Sequence, residues 1–241
     1  MPHGKIQGDR KPACSSCHGD GSEHIAAPSA ATILSFASAS ADKQSAVCGG
    51  CHEQSDASIS DAHSRADIPC AACHSVHSKK KIANLPVRLE RLRPGSSLCY
   101  SCHADTFTQF GQSERHRLLE GALECTSCHD AHDPGHGRRL GGFKQSMCSD
   151  CHASVEGPFV FEHEASRVEG CTACHAPHGS PNRHLLVHQN VGSLCYSCHA
   201  DAPQFHLGFS PSAPVRFNER TVCTNCHVAV HGSNVDRALL R

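Results

Sequence analysis

Tryptophan is absent from this chain, and aromatic residues are scarce throughout: two tyrosines and nine phenylalanines in 241 residues. Methionine is limited to Met1 and Met147. Hydrophobic residues make up 38%, a figure that counts 18 cysteines; without them about 30% of the chain is apolar, against about 45–50% in an average globular protein. A chain of this length cannot bury an ordinary core from that supply, so something other than side chains fills the interior or the chain stays disordered. Long apolar runs are missing too. A membrane helix needs roughly 18 apolar residues, and the nearest stretch, Ala26 to Ala41, is mostly alanine and serine with Pro28 inside it. The chain therefore has no membrane span of its own. Net charge is absent as well: 22 Lys and Arg against 23 Asp and Glu leave no strong field of either sign, which disfavours a nucleic-acid partner.

Cysteine and histidine are abundant instead, at 18 and 22 residues. Every cysteine belongs to a Cys-x-x-Cys pair, and every pair is followed at once by histidine. The nine motifs are Cys14-Cys17-His18, Cys48-Cys51-His52, Cys70-Cys73-His74, Cys99-Cys102-His103, Cys125-Cys128-His129, Cys148-Cys151-His152, Cys171-Cys174-His175, Cys195-Cys198-His199 and Cys223-Cys226-His227. This is the attachment spacing of c-type haem: two thiols bond the vinyl groups of one haem, and the adjoining imidazole ligates the iron. Zinc ribbons use pairs of Cys-x-x-Cys without the obligatory histidine, and disulfide scaffolds need neither feature. Histidine after all nine pairs has a chance probability of roughly 10⁻⁹, so the haem reading prevails. Nine covalent haem c groups, one per about 27 residues, then supply the missing core. Haem attachment of this type takes place outside the cytoplasmic membrane, which makes the protein an exported, periplasmic one. No basic segment followed by an apolar one stands at Met1, so the start reads as a processed, truncated or mis-assigned terminus without its signal peptide.

Successive motifs start 34, 22, 29, 26, 23, 23, 24 and 28 residues apart, the mark of a stacked repeat. A longer period of about 50 residues lies within it. Motifs two, four, six and eight follow an apolar residue (Val47, Leu98, Met147, Leu194), and Ser97 to Asp105 recurs identically as Ser193 to Asp201. Motifs three, five, seven and nine are followed closely by a second histidine. The expected architecture is one elongated multihaem domain of two-haem repeats: residues 1–46 as a half unit with one haem, then 47–97, 98–146, 147–193 and 194–241. Short α-helices near the motifs, a longer helix around Gln109 to Glu120, coil elsewhere and almost no β-structure are expected around a linear haem chain.

The histidines outside the motifs fall onto the same unit. Between the two motifs of each unit lies one distal-ligand candidate, His63, His116, His163 and His206, and after the second motif another, His77, His132, His178 and His231. His3 and His24 flank the motif of the half unit, which makes ten candidates for nine haems; His136, His184 and His188 read as surface or loop residues. A histidine three or four residues after a motif cannot serve its own haem, because both imidazoles lie on one side of a helical turn. It should reach a neighbouring haem and lock adjacent units together. Spacing alone does not pair distal histidines with haems. Met147 sits where Val47, Leu98 and Leu194 sit and reads as a packing residue, so all nine irons are expected to be bis-histidine and low-spin. The basic runs Lys79 to Lys81 with Arg88, Arg91 and Arg93, and Arg138-Arg139, read as solvated loops.

Four stretches carry a family resemblance: Cys14 to His24, Gly157 to His163, Cys171 to Asn182 and the closing Cys223 to Asn234. With them the whole chain resembles the periplasmic decahaem cytochromes of the MtrA/DmsE type, which are similar to pentahaem donors of the nitrite-reductase system. It departs from them in having nine motifs where the family has ten, with the shortfall at the N-terminus. The resemblance implies a chain of haems threaded through an outer-membrane β-barrel, carrying electrons between a periplasmic or inner-membrane cytochrome and an outer-surface multihaem cytochrome. It implies periplasmic localisation at the outer membrane. Two other readings stand beside this one: a soluble periplasmic shuttle to a terminal reductase, and a subunit of an extracellular cytochrome filament. A multihaem reductase would need an iron with an open sixth position, and nine regular motifs with enough histidines for all of them favour an electron carrier over an enzyme.

Overall fold

A computed structural model describes residues 13–52, 62–74, 94–132, 146–202, 206 and 221–240. The chain forms two compact units, one of residues 1–89 with 129–138, the other of residues 90–128 with 139–241.

In the first unit α1 (Cys14–His18) and α2 (Ser22–Ala26) are followed by a 3-10 turn at Ala30–Thr32, then by α3 (Ala41–Gly49), α4 (Ala62–Arg65) and α5 (Cys70–Cys73). Ser40 caps α3 by accepting from the amide of Lys43, the role its short hydroxyl suits at a helix start. Helix α5 packs on α3, and α3 on α1. The second unit holds α6 (Pro94–Tyr100), α7 (Ala104–Gln109), α8 (Ser146–Ser149), α9 (Glu164–Val168) and α10 (Val191–Tyr196), with 3-10 turns at Cys125–Ser127, Ala153–Val155, Cys171–Ala173, Arg183–Leu185 and Cys223–Asn225. Strand structure among the described residues is confined to β1 (Phe161–Glu162) paired antiparallel with β2 (Gly232–Ser233), and to single bridges Glu114–Ser180 and His175–Leu186.

Short helices and coil with very little strand match the expected class. In α3, α6 and α10 the motif cysteine lies at the end of the helix. One detail differs. The helix expected around Gln109 to Glu120 does not form: α7 ends at Gln109, and the chain beyond it turns through Gly111 so that Glu114 pairs with Ser180. That pairing withdraws the backbone groups a helix would use.

The protein interior is small. Among the described residues only Tyr100, Phe110 and Leu118 are buried apolar side chains, whereas Ile25, Val160 and Val235 are 82%, 69% and 72% exposed. No helix of the described residues is long and apolar enough to cross a membrane.

Candidate metal centres

Seven of the attachment motifs are closed by the same backbone turn. The amide of the motif histidine donates to the carbonyl of the first cysteine four residues back at His52, His74, His103, His152, His175, His199 and His227, with lengths of 2.8–3.0 Å. Residues at i, i+3 and i+4 of such a turn share a face, so two sulfurs and one imidazole project together. In two units the second motif lies on a tighter turn packed against the preceding motif helix: Cys125–Ser127 on α6 and Cys223–Asn225 on α10. A small residue at the third position before the motif cysteine makes this possible. Ser96 is fully buried there and its hydroxyl accepts from the Cys125 amide at 3.2 Å; Gly192 occupies the same place before Cys195.

The fold then sets motif histidines opposite histidines from elsewhere in the sequence. In the first unit His74 faces His132, ring centres 5.8 Å apart. In the second, His152 faces His116 at 6.1 Å, His199 faces His163 at 6.1 Å, His175 faces His231 at 6.2 Å and His227 faces His206 at 6.0 Å. Two metal–imidazole bonds of about 2.0 Å, plus roughly 1 Å from each ring centre to its ligating nitrogen, add to about 6 Å. The residues therefore fit an iron held between two imidazoles.

Hydrogen bonding prepares these rings. His18 donates from Nδ1 to the Leu34 carbonyl at 2.8 Å, His175 to that of His184 at 2.7 Å and His227 to that of Ala238 at 2.6 Å. Distal candidates do likewise: His24 to Ser29 at 2.9 Å, His116 to Pro177 at 2.7 Å and His206 to Ala202 at 2.7 Å. A proton on Nδ1 leaves the Nε2 lone pair for a metal, and the bond fixes the ring orientation. Burial, then the imidazole of His175, holds His231 below the ordinary histidine value, which favours the neutral, ligating form. Sequence reasoning missed the acceptors because they are backbone carbonyls. One signal was available: Leu185-Leu186 and Leu239-Leu240 follow the carbonyls of His184 and Ala238, and both Leu185 and Leu239 take the left-handed conformation that folds this segment back onto the motif.

The recurring His-Gly-Ser is a positioning device. A Cβ on Gly179 would collide with the backbone of Gln109, and one on Gly232, at φ +148°, with the ring of Phe159. The chain needs glycine at these close approaches. Ser180 and Ser233 are buried beside them; Ser180 donates to the Leu186 carbonyl at 2.6 Å, and Ser233 accepts from the amides of Val235 and Asp236. Ser180 bridges to Glu114 two residues before His116, and Gly232 pairs with Glu162 one residue before His163. Each clamp thus holds two distal candidates side by side, His116 with His178 and His163 with His231.

Consecutive motifs also meet at their sulfurs. The first cysteines of both motifs in a unit lie within hydrogen-bonding reach in Cys48–Cys70, Cys99–Cys125, Cys148–Cys171 and Cys195–Cys223. As free thiols they share protons: burial followed by the partner sulfur pushes Cys48 and Cys148 up to about 11 and Cys195 up to about 12, while a hydrogen bond from Cys99 draws Cys125 down to about 6. Second cysteines approach across the next boundary, Cys128 to Cys151 and Cys174 to Cys198.

His3, His77 and His136 lie outside the described residues, as do the basic runs at Lys79 to Arg93 and Arg138-Arg139. His184 and His188 are exposed, although the His184 carbonyl orients His175. His178 lies against Phe110, with Nδ1 3.2 Å from the Gln109 amide oxygen. Beside α1 an open cleft of about 350 Å³ is lined by Cys14, His18, Gly19, Ile25 and Ile33.

Comparison with known proteins agrees with this chemistry. A family model described as "Cytochrome c3" matches residues 62–153, and one described as "Doubled CXXCH motif" matches residues 163–204. A protein of Shewanella baltica (strain OS185) named "Multiheme cytochrome MtrA" is 34% identical over 251 aligned positions, covering 96% of this chain and 72% of that protein. The paired motifs bind haem c covalently, and the chain belongs to the MtrA family of multihaem c-type cytochromes.

Proposed function

We propose that this chain is a non-enzymatic electron carrier that holds nine haem c groups, each iron six-coordinate between two histidines, and that it conducts electrons along them between the periplasm and the cell exterior inside an outer-membrane β-barrel. Five facing pairs of histidines with ring centres 5.8–6.2 Å apart carry this reading. Bound haem supplies a reversible one-electron iron couple; the chain supplies the rest. The cysteines would tether the haem, the motif histidine and its distant partner would hold the iron, and the carbonyls at Leu34, His184 and Ala238 accept the Nδ1 protons and so leave the other ring nitrogens free to ligate. Irons saturated in this way bind no substrate and change no ligand on reduction, which suits relay rather than catalysis.

The pairs define a register. A histidine after a second motif faces the second motif one unit earlier, as His132 faces His74 and His231 faces His175. A histidine between motifs faces the first motif one unit later, as His116 faces His152 and His163 faces His199, and His206, in the last unit, faces its own second motif at His227. By this register His24 would serve a second motif one unit before its own.

Two measurements test the proposal. Intact mass of the matured protein should exceed that of the polypeptide by nine haems. Native outer-membrane fractions solubilised in mild detergent should yield this chain with a β-barrel protein in fixed stoichiometry. A chain recovered alone from the soluble periplasm would mark a shuttle and end the conduit reading; polymers seen by negative-stain microscopy would mark a filament subunit.

A further inference from the structure

The facing imidazoles adopt two orientations. The planes of His74 and His132 lie 15° apart, those of His163 and His199 17°, and those of His175 and His231 18°. His116 and His152 cross at 67°, and His206 and His227 at 86°. Position in the repeat does not explain the difference, because His116 and His163 occupy the same place in consecutive units. At these two positions the hydrogen bonds differ, although such a bond alone does not cross the rings, since His175 makes one to the His184 carbonyl and stays parallel to His231. His116 donates from Nδ1 to the Pro177 carbonyl at 2.7 Å, and His163 makes no such bond among the described residues. At the terminal motif both rings are fixed, His206 by the Ala202 carbonyl and His227 by that of Ala238.

We propose that these ring orientations divide the irons of this chain into two electronic classes, and that the sites of His116 with His152 and of His206 with His227 hold electrons at higher potential than the three sites with parallel rings. The inference rests on the six-coordinate reading above. Parallel imidazoles direct their π-orbitals at the same iron d-orbital, which splits the pair of dπ levels and stabilises the low-spin ferric ion. Crossed imidazoles act on one level each, leave the pair nearly degenerate and stabilise the ferric ion less. The acceptors that hold the crossed rings, the carbonyls of Pro177 and Ala202, are thus potential-setting groups that never touch the metal, an outer-shell lever on a metal site. Electrons entering a partly oxidised chain collect first at the crossed sites, one of which is the last motif of the sequence.

Electron paramagnetic resonance of the matured, fully oxidised protein tests this directly. Parallel sites give a three-line rhombic low-spin signal; crossed sites give a single, strongly anisotropic low-field line. Spin counting should assign at least two irons to the low-field line and at least three to the rhombic signal. On stepwise reduction the low-field intensity from these two sites should vanish before the rhombic signal. His206→Met, which keeps six-coordination, should remove one iron from the low-field class, and His163→Met one from the rhombic class. An oxidised protein with rhombic signal alone, low-field intensity that outlasts the rhombic signal, or a His206→Met variant that loses rhombic intensity would overturn the proposal while leaving the ligand pairs in place. A dominant high-spin signal would overturn both.

Discussion

His231 lies parallel to His175, ring centres 6.2 Å apart, although 56 residues separate them in sequence. The contact spans one full repeat, so a single imidazole ties the second motif of one unit to the chain of the next. His175 donates from Nδ1 to the His184 carbonyl, which leaves its Nε2 lone pair for a metal.

Removing one member of such a pair should open one coordination position. In the matured protein His231→Ala is expected to convert a single haem from low-spin to high-spin and to bind one equivalent of carbon monoxide on reduction, with added imidazole restoring the low-spin spectrum. The exposed His188→Ala should leave the spectrum unchanged. A His231→Ala protein that stays fully low-spin would show that His231 is not the partner of His175.

The glycines after the distal histidines should be intolerant of any side chain. Gly232→Ala meets the Phe159 ring at a backbone angle that L-residues rarely adopt, and overpacking together with such strain costs on the order of 2–4 kcal/mol. Gly179→Ala meets the Gln109 carbonyl and should behave similarly. Gly21→Ala, where nothing lies within 4 Å of the added carbon, should stay within about 0.5 kcal/mol of the parent. Thermal unfolding of the three variants checks the contrast; equal transitions would show that the close approaches are not maintained.

Most of this chemistry was legible in the sequence because the attachment motif is local: five residues fix two sulfurs and one imidazole on a single turn. The repeat of about 50 residues was legible for the same reason. The facing pairs were not, since His116 finds His152 and His175 finds His231 only through folding. The expected helix around Gln109 to Glu120 failed on a similar point. Its residues favour helix well enough, but Glu114 pairs with Ser180, and that long-range bond outweighs local propensity. Backbone acceptors such as the Pro177 carbonyl left no side-chain signature to read.

Ser96 supports the second motif of its unit through one hydrogen bond. With its hydroxyl fully buried and the Cys125 amide as donor, Ser96→Ala leaves that amide unpaired at a cost of about 1–3 kcal/mol. Chemical denaturation should show a lower midpoint with an unchanged haem count. A midpoint equal to the parent's would mean that the Cys125 amide finds another acceptor.

Tyr100 should govern the alkaline limit of stability. It is buried against Phe107 in an edge-on contact with ring centres 4.8 Å apart, and its hydroxyl has no hydrogen-bond partner among the described residues. Burial pushes the phenol well above its ordinary value. An acid raised in the folded state leaves stability intact below its unfolded value, near 10 for tyrosine, and loses stability as pH climbs beyond that point, because only the unfolded chain then ionises. Tyr100→Phe keeps the ring contact and removes the titrating group. It should match or exceed the parent at pH 7, by up to about 1 kcal/mol for the unpaired hydroxyl removed, and should lose less stability than the parent when unfolding is followed upward from pH 10. A variant that is weaker at pH 7 and equally sensitive to alkali would show that the hydroxyl is paired and that another group sets the alkaline limit.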